Sequence, residues 1–318
     1  MIACEATNET PVGRDGADLE RTIDEFTQDP GGSIAGTTMP SVLITGTSSG
    51  IGQATAVELA KRNWRVFATM RDTSKSAALQ DALAAVDARN RVEIVRLDVN
   101  DAASIRDAVA STLASTGGLL DAVVHNAGVA VGGAFEDVPE ATQRAVMETN
   151  FFGVLTLTRA ILPTFRHQRR GRIIIVSSDA AFYGQPANAM YTASKWAIEG
   201  WAESMMFELE LFGVELALVE PGPYRTNIWE VSPRIAPAGS PYTGWVQQVF
   251  QAADKHAENM ARDPTEVGVA IVGALEARRF PFRRPVGLIG RLNHIVHGKV
   301  PSSLLRASMR WYLVLSRR

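Results

Sequence analysis

Tyr191 and Lys195 stand four residues apart in Tyr191-Thr192-Ala193-Ser194-Lys195. On a helix that spacing puts both side chains on one face, one turn apart. A phenol is a poor acid at neutral pH, with an ordinary pKa near ~10. A neighbouring ammonium group favours the phenolate and is expected to draw that pKa toward the working range. The pair is therefore suited to give a proton to a carbonyl oxygen or to take one from an alcohol. The spacing alone carries little weight, because Y-x-x-x-K arises by chance in many helices. The rest of the chain has to supply the elements that make it useful.

The strongest of these lies upstream. Ser41-Val42-Leu43-Ile44-Thr45 is a short apolar run that reads as a buried strand. It leads into Gly46-Thr47-Ser48-Ser49-Gly50-Ile51-Gly52 and then into the amphipathic stretch Gln53–Arg62. Strand, glycine loop and helix form the context of a dinucleotide site. The glycines allow a tight turn and close approach of backbone to pyrophosphate, and the helix N-terminus offers free N–H groups and a positive dipole.

The spacing G-x-x-x-G-x-G differs from the commoner G-x-G-x-x-G. With Thr45-Gly46 and the Tyr191/Lys195 pair, it resembles the short-chain dehydrogenase/reductase family, from about Pro40 to about Pro285. Further segments match. Leu97-Asp98-Val99 is similar to the family's adenine-contacting segment, with Asp98 at the adenine-facing position. Asn126-Ala127-Gly128 is similar to its N-A-G strand end. Asn150 matches the asparagine of the catalytic tetrad, and Ser178 lies thirteen residues before Tyr191, the family's usual offset. Pro221, Gly222 and Thr226 match the segment that closes over the nicotinamide. The family often has a second asparagine before N-A-G. Here that position is His125, read as a packed or solvated side chain rather than a catalyst.

The resemblance implies an α/β fold, a Rossmann-type doubly wound parallel sheet of seven strands flanked by helices. Strands are expected at Ser41–Thr45, Arg65–Thr69, Val92–Arg96, Ala122–His125, Arg172–Ser177 and Glu215–Glu220, with a seventh near Arg284–Gly287. It implies Asn150, Ser178, Tyr191 and Lys195 as the catalytic set. Ser178 would polarise a carbonyl, Tyr191 would donate the proton, Lys195 would lower the tyrosine pKa and bind the nicotinamide ribose, and Asn150 would order a proton relay. The implied cofactor contacts are Gly46, Ser48, Ser49, Gly50, Ile51, Gly52, Asp98, Val99, Asn126, Ala127, Gly128, Tyr191, Lys195, Pro221, Gly222 and Thr226.

Cofactor choice follows from the end of the second strand. A carboxylate there commonly binds the ribose hydroxyls of NAD. This chain has Met70, which offers no acceptor, and then Arg71, which can pair with a 2′-phosphate. Asp72 is expected to point elsewhere. NADP(H) is therefore expected in preference to NAD(H). The segments Ala68–Asp72 and Glu220–Thr226 are most similar to the hydroxysteroid- and retinol-dehydrogenase-like branch, which implies a bulky apolar alcohol or ketone.

Composition fits such an enzyme. The chain has 318 residues, 46% of them hydrophobic, enough for a large core. A formal net charge of −2 gives no global pull toward nucleic acid, and none is expected as a partner. Cys4 is the only cysteine, so an internal disulfide is excluded and no metal site is expected. No run has the length of a membrane span and no secretory signal is evident, so a cytoplasmic location is expected.

Three regions emerge. Residues 1–39 are read as an acidic, mobile extension. Residues 40–290 are the catalytic domain, with a substrate lid at about 228–262 carrying Trp229, Tyr242, Trp245 and Phe250. Residues 291–318 form a basic amphipathic tail. Ten Lys/Arg and no Asp or Glu lie between Ala277 and Arg318, so a contact with an anionic membrane surface is one reading and packing on the protein is the other. A homodimer or homotetramer through the Asn150 and Tyr191 helices is expected from the resemblance. The alternative function is a non-catalytic NADP-binding regulator or scaffold. It would be marked by loss of a tetrad residue, and all four are present.

Overall fold

The computed structural model describes residues 39–296 together with 301, 303 and 304. The acidic extension and most of the basic tail lie outside the described residues.

Strand and helix alternate from the start. Strand β1 (Ser41–Thr45) is followed by α1 (Gly50–Lys61), β2 (Arg65–Met70), α2 (Ala77–Ala85), β3 (Val92–Arg96), α3 (Ala102–Ser115) and β4 (Ala122–His125). After the two-residue strand β5 (Gly132–Gly133) come α4 (Glu140–Met147), a π-helical turn (Glu148–Phe152) and α5 (Gly153–Gln168). The second half continues with β6 (Gly171–Val176), α6 (Ala189–Glu210), β7 (Val214–Pro221), α7 (Ile228–Val231), β8 (Arg234–Ile235), α8 (Thr243–Met260), α9 (Thr265–Leu275), β9 (Arg283–Val286) and α10 (Gly287–Val296).

Seven strands form one parallel sheet in the order β3-β2-β1-β4-β6-β7-β9. Both faces are covered, so the strands are apolar throughout and their residues divide by parity. Val42, Ile44, Val66, Ala68, Val124 and Ile174 enter one core, with Leu59 of α1 and Ile271 of α9. Leu43, Phe67, Val123, Ile173 and Ile175 enter the other, with Ile105 of α3, Leu157 of α5 and Ile198 of α6. Strand order reverses between β1 and β4. A sheet of this kind opens a crevice at the carboxyl end of that pair.

Three features depart from the expectations. The seventh strand is Arg283–Val286, one residue earlier than expected. Within the expected lid, β8 pairs with β5 in a small second sheet, which ties that part to the 130s loop. Its helix α8 buries Val246, Val249 and Ala252. Helix α10 was not foreseen. Among the described residues no helix is long and apolar enough to cross a membrane.

The switch point is braced by one hydroxyl. Thr45 Oγ1 accepts from Asn126 N at 2.9 Å and from Ala127 N at 3.0 Å, and donates to the Val124 carbonyl at 3.4 Å. Valine has the same shape but cannot accept. Thr45→Val should leave two N–H groups unpaired and cost ~2–4 kcal/mol of unfolding free energy. Urea denaturation checks this, and a loss below ~0.5 kcal/mol would show that the brace is dispensable.

Candidate active site

The carboxyl ends of the central strands gather most of the predicted site residues. Gly46 leaves β1 with φ +71°, and a Cβ there would meet Ala127 Cα at 2.9 Å. Gly50 turns the chain into α1 with φ +59°. A Cβ on Gly52 would lie 2.2 Å from the Gly46 carbonyl oxygen and 2.4 Å from Asn126 Nδ2. The three glycines are thus fixed by one another and by the N-A-G strand end. Asn126 Nδ2 donates to the carbonyls of Thr45 (3.0 Å) and Gly46 (2.9 Å). Its amide donors are committed to holding the loop, which makes it a brace.

The loop has the properties of an anion cradle. Ser49 caps α1 with extended backbone and makes no side-chain cap hydrogen bond. The first N–H groups of α1 therefore face the crevice without a side-chain partner, where a pyrophosphate would satisfy them. Ser48 and Ile51 sit in the same turn. Gly50 touches Thr226, since a Cβ there would lie 3.3 Å from Thr226 Cβ. That contact brings Thr226, in the segment that follows Pro221 at the end of β7 and Gly222, onto the glycine loop. Asp98 Oδ1 accepts from Asn100 N at 3.0 Å, and Val99 packs on Gly153 at the start of α5.

At the end of β2, Met70 is buried and Arg71 is exposed. The Asp72 carboxylate accepts from Ser74 N (3.1 Å) and Ser74 Oγ (2.6 Å). These bonds hold its carboxyl below the usual range. Asp72 is thus occupied in capping the turn Thr73–Ser76, as expected of a residue that points elsewhere.

The four tetrad candidates converge. The π-helical turn bulges Asn150 toward β4, where Oδ1 accepts from Val129 N and Nδ2 donates to the Val129 carbonyl, both at 2.8 Å. Asn150 Nδ2 also donates to Ser194 Oγ at 2.9 Å, and Ser194 Oγ donates to the Tyr191 carbonyl at 2.7 Å. An unbroken chain therefore runs from Asn150 to the helix turn carrying Tyr191. Local π geometry of this kind is common at functional sites. Lys195 Nζ donates to the Val176 carbonyl at 3.0 Å and lies 5.7 Å from the centre of the Tyr191 ring. Ser178 ends the loop after β6, and its hydroxyl hydrogen-bonds the Tyr191 phenol.

Electrostatics correct one expectation. Burial pushes the Tyr191 phenol up to about 12; the Ser178 hydrogen bond opposes this and the charge of Asp179 adds to it. Burial brings the Lys195 ammonium down to about 8, against the pull of Glu199. Desolvation disfavours the charged form of both groups and is the largest cause of each shift. The phenol is held as a neutral proton carrier in the free protein. His125 is buried and bonded to Thr158 Oγ1 through Nε2 at 3.0 Å; burial alone takes it down to about 3. It is a packed neutral side chain, as its sequence context implied.

Sequence reasoning missed Asp179, which follows Ser178 directly. Its carboxylate accepts from Ser178 Oγ at 3.2 Å and from Tyr183 OH at 3.4 Å. A carboxylate beside a catalytic serine has no signal in spacing alone. Among the described residues, no cluster of ligands suited to a metal ion occurs. A cavity of about 390 Å³ lies between the 133–136 loop, the start of α6 and α8, with Gln185, Ala189, Tyr242 and Trp245 on its wall.

Comparison with known proteins agrees with this geometry. Residues 40–234 match the family described as short chain dehydrogenase. The chain is 35% identical to retinol dehydrogenase 8 of Bos taurus over 254 residues, covering 77% of this chain and 80% of that protein. It is 31% identical to 3-ketodihydrosphingosine reductase of Bacteroides thetaiotaomicron over 281 residues, covering 86% and 98%. A solved short-chain dehydrogenase from Streptomyces avermitilis superposes with TM-score 0.70 at 29% identity, covering 89% of this chain and 98% of that one. Two other solved short-chain enzymes were crystallised with a nicotinamide cofactor. One from Burkholderia phymatum held NAD (TM-score 0.67, 24% identity, covering 77% and 88%), and a metagenomic one held NADP (TM-score 0.61, 27% identity, covering 77% and 95%). The glycine cradle, the matched family and these likenesses support one conclusion: the chain belongs to the short-chain dehydrogenase/reductase family of oxidoreductases.

Proposed function

We propose that this chain is an NADP(H)-dependent oxidoreductase that interconverts a bulky apolar ketone or aldehyde and the corresponding alcohol. The observation that carries the reading is the meeting of Ser178, Tyr191 and Lys195 beside the glycine cradle, with Asn150 tied to the same helix turn. A bound nicotinamide would supply or accept the hydride. The residues of the chain do the rest. The neutral Tyr191 phenol gives its proton to the carbonyl oxygen as charge develops there. Ser178 donates to the same oxygen and holds it in line. Lys195, anchored on the Val176 carbonyl, offers a positive charge that favours the phenolate left behind. Asn150 and Ser194 fix the turn that carries the phenol.

Preference for NADP rests on Arg71. It is exposed and makes no side-chain hydrogen bond or ion pair among the described residues, and Asp72 is committed to its turn. A 2′-phosphate would find an exposed guanidinium, with the nearby Asp72 carboxylate already bonded to Ser74. The apolar substrate rests on the cavity wall of Ala134, Phe135, Tyr242 and Trp245 and on the relatives, which include retinol, 17-beta-hydroxysteroid and 3-ketodihydrosphingosine enzymes. Phe152, Trp196, Phe207 and Leu211 are exposed around α5 and α6, which supports self-association through those helices.

Tyr191→Phe should abolish at least ~99% of NADPH-linked turnover of a long-chain ketone, in line with loss of a general acid, while NADPH affinity stays within about threefold. Steady-state kinetics with fluorescence titration check both, and wild-type turnover would sink the mechanism. Arg71→Ala should weaken NADPH binding by roughly 10–100-fold, the worth of a charge-assisted hydrogen bond, and leave NADH binding nearly unchanged. An equal effect on both cofactors would contradict the NADP assignment.

A further inference from the structure

Asp179 presents an electrostatic problem that the reaction above does not resolve. Its carboxylate accepts from two neutral hydroxyls, Ser178 Oγ and Tyr183 OH, and from the neutral N–H groups of Ala180 and of Asp179 itself; none of these partners carries a charge. No ion pair involves it among the described residues, and Lys195 commits its Nζ to the Val176 carbonyl. Burial pushes the Asp179 carboxyl up to about 6, so it is still mainly ionised at neutral pH. A desolvated charge without a counter-charge is unfavourable. Local structure does not require it. The turn Asp179–Ala181 is already capped by Ser178, whose Oγ accepts from Ala180 N at 3.1 Å. The charge also works against the reaction, because it raises the phenol of Tyr191. Uncompensated titratable groups in a reacting cleft point to function.

Resting on the reductase reading, we propose that Asp179 is a specificity-determining residue that pairs with an ammonium group carried on the carbon next to the reacting carbonyl. The substrate class is then an apolar α-amino ketone, and the product its amino alcohol. Ser178 hydrogen-bonds both the Tyr191 phenol and Asp179, so a carbonyl oxygen seated between Ser178 and Tyr191 has its α-substituent beside the carboxylate. The ammonium brings donors for Asp179. Ser178 has a single hydroxyl proton, at present given to Asp179, and this pairing releases it to the carbonyl oxygen. The ammonium also cancels the charge that holds the phenol up, which eases proton donation by Tyr191.

The cavity near the start of α6, of whose wall Asp179 is no part, is lined by apolar Ala134, Phe135 and Trp245, and Glu136 is its one charged residue. It suits an apolar tail with a positive head better than an anionic one. In the step itself the carbonyl carbon gains a hydride from the reduced nicotinamide, which is oxidised. The oxygen gains the Tyr191 proton, and the carbon–nitrogen bond is untouched.

The test compares three probes with NADPH at near-neutral pH: a linear α-amino decanone hydrochloride, its N-acetyl derivative and the unsubstituted decanone. Wild-type kcat/KM should favour the free amine over the N-acetyl form by roughly 10–100-fold, the worth of one charge-assisted pair. In Asp179→Asn that ratio should fall toward one. Calorimetric binding of the matching amino alcohol, compared with its N-acetyl form, should lose the same factor without any turnover. Asp179→Asn should also melt higher than wild type, with the gain larger at about pH 8 than at about pH 5. A carboxyl whose folded pKa is raised loses stability as pH climbs through it, and asparagine has no such cost.

Turnover of all three probes without preference for the amine overturns the proposal and leaves the reductase reading intact. A preference that survives Asp179→Asn also overturns it. So does an equal loss on all three probes, which would make Asp179 a positioning residue for Ser178. A shift in NADP⁺ against NADPH affinity alone would assign the charge to the oxidised nicotinamide instead. If no probe is reduced with either cofactor, the reductase reading fails and the inference with it. Should the variant fail to fold, the amine against N-acetyl comparison in wild type decides the matter.

Discussion

The hydroxyl of Thr45 is the point on which the site depends. It lies where β1 and β4 diverge, and it takes the N–H groups of Asn126 and Ala127 that a parallel ladder can no longer pair. Asn126 then turns back and holds the carbonyls of Thr45 and Gly46. This exchange fixes the distance between the glycine loop and the N-A-G strand end. Gly46 and Gly52 are required because a side-chain carbon at either would strike that brace. The cradle for phosphate is therefore a consequence of how two diverging strands satisfy their own backbone. The Asn150 turn is attached to the same edge through Val129.

Burial sets the protonation states on that edge. It pushes the Tyr191 phenol up to about 12, the Lys195 ammonium down to about 8 and the Asp179 carboxyl up to about 6. All three shifts favour the neutral form, and each group nevertheless lies beside a partner that could carry charge during reaction. The free protein thus holds the proton on the phenol, where a reductase needs it. The same low polarity strengthens any charge that arrives with cofactor or substrate. Arg283 bridges Glu199 of α6 and the buried Glu220 near the end of β7, so that helix and that strand are joined by one ion network.

Much of the fold was legible because it is written in short-range signals. Apolar runs such as Ile173–Val176 can only be strands covered on both faces, and Gly46 to Gly52 announces its turn by residues with no side chain. The pairing of Tyr191 with Lys195 was legible by spacing, since α6 carries both on adjoining turns. What escaped depends on distant partners. The β5–β8 pair has only two residues per strand, and Gly132 and Gly133 carry no pattern of polarity. The phenol's pKa could not be read from the Y-x-x-x-K spacing, because desolvation by the surrounding core sets its direction. Asn126 was matched as a cofactor contact, and that its amide also pins the glycine loop could not be read from the sequence. Asp179 stood next to an expected catalytic residue and drew no notice. Its meaning lies in the missing counter-charge, which only the three-dimensional surroundings reveal.

The central claim is that this edge moves a hydride onto a carbonyl carbon with Tyr191 as the proton source. The most direct measurement uses NADPH deuterated on the reactive face of its nicotinamide, a long-chain ketone and mass spectrometry of the alcohol. The account predicts one deuterium on the carbinol carbon in the wild-type product and almost no product from Tyr191→Phe. NADPH that binds tightly while its deuterium never reaches any carbonyl carbon would contradict the account and leave a nucleotide-binding protein without this chemistry.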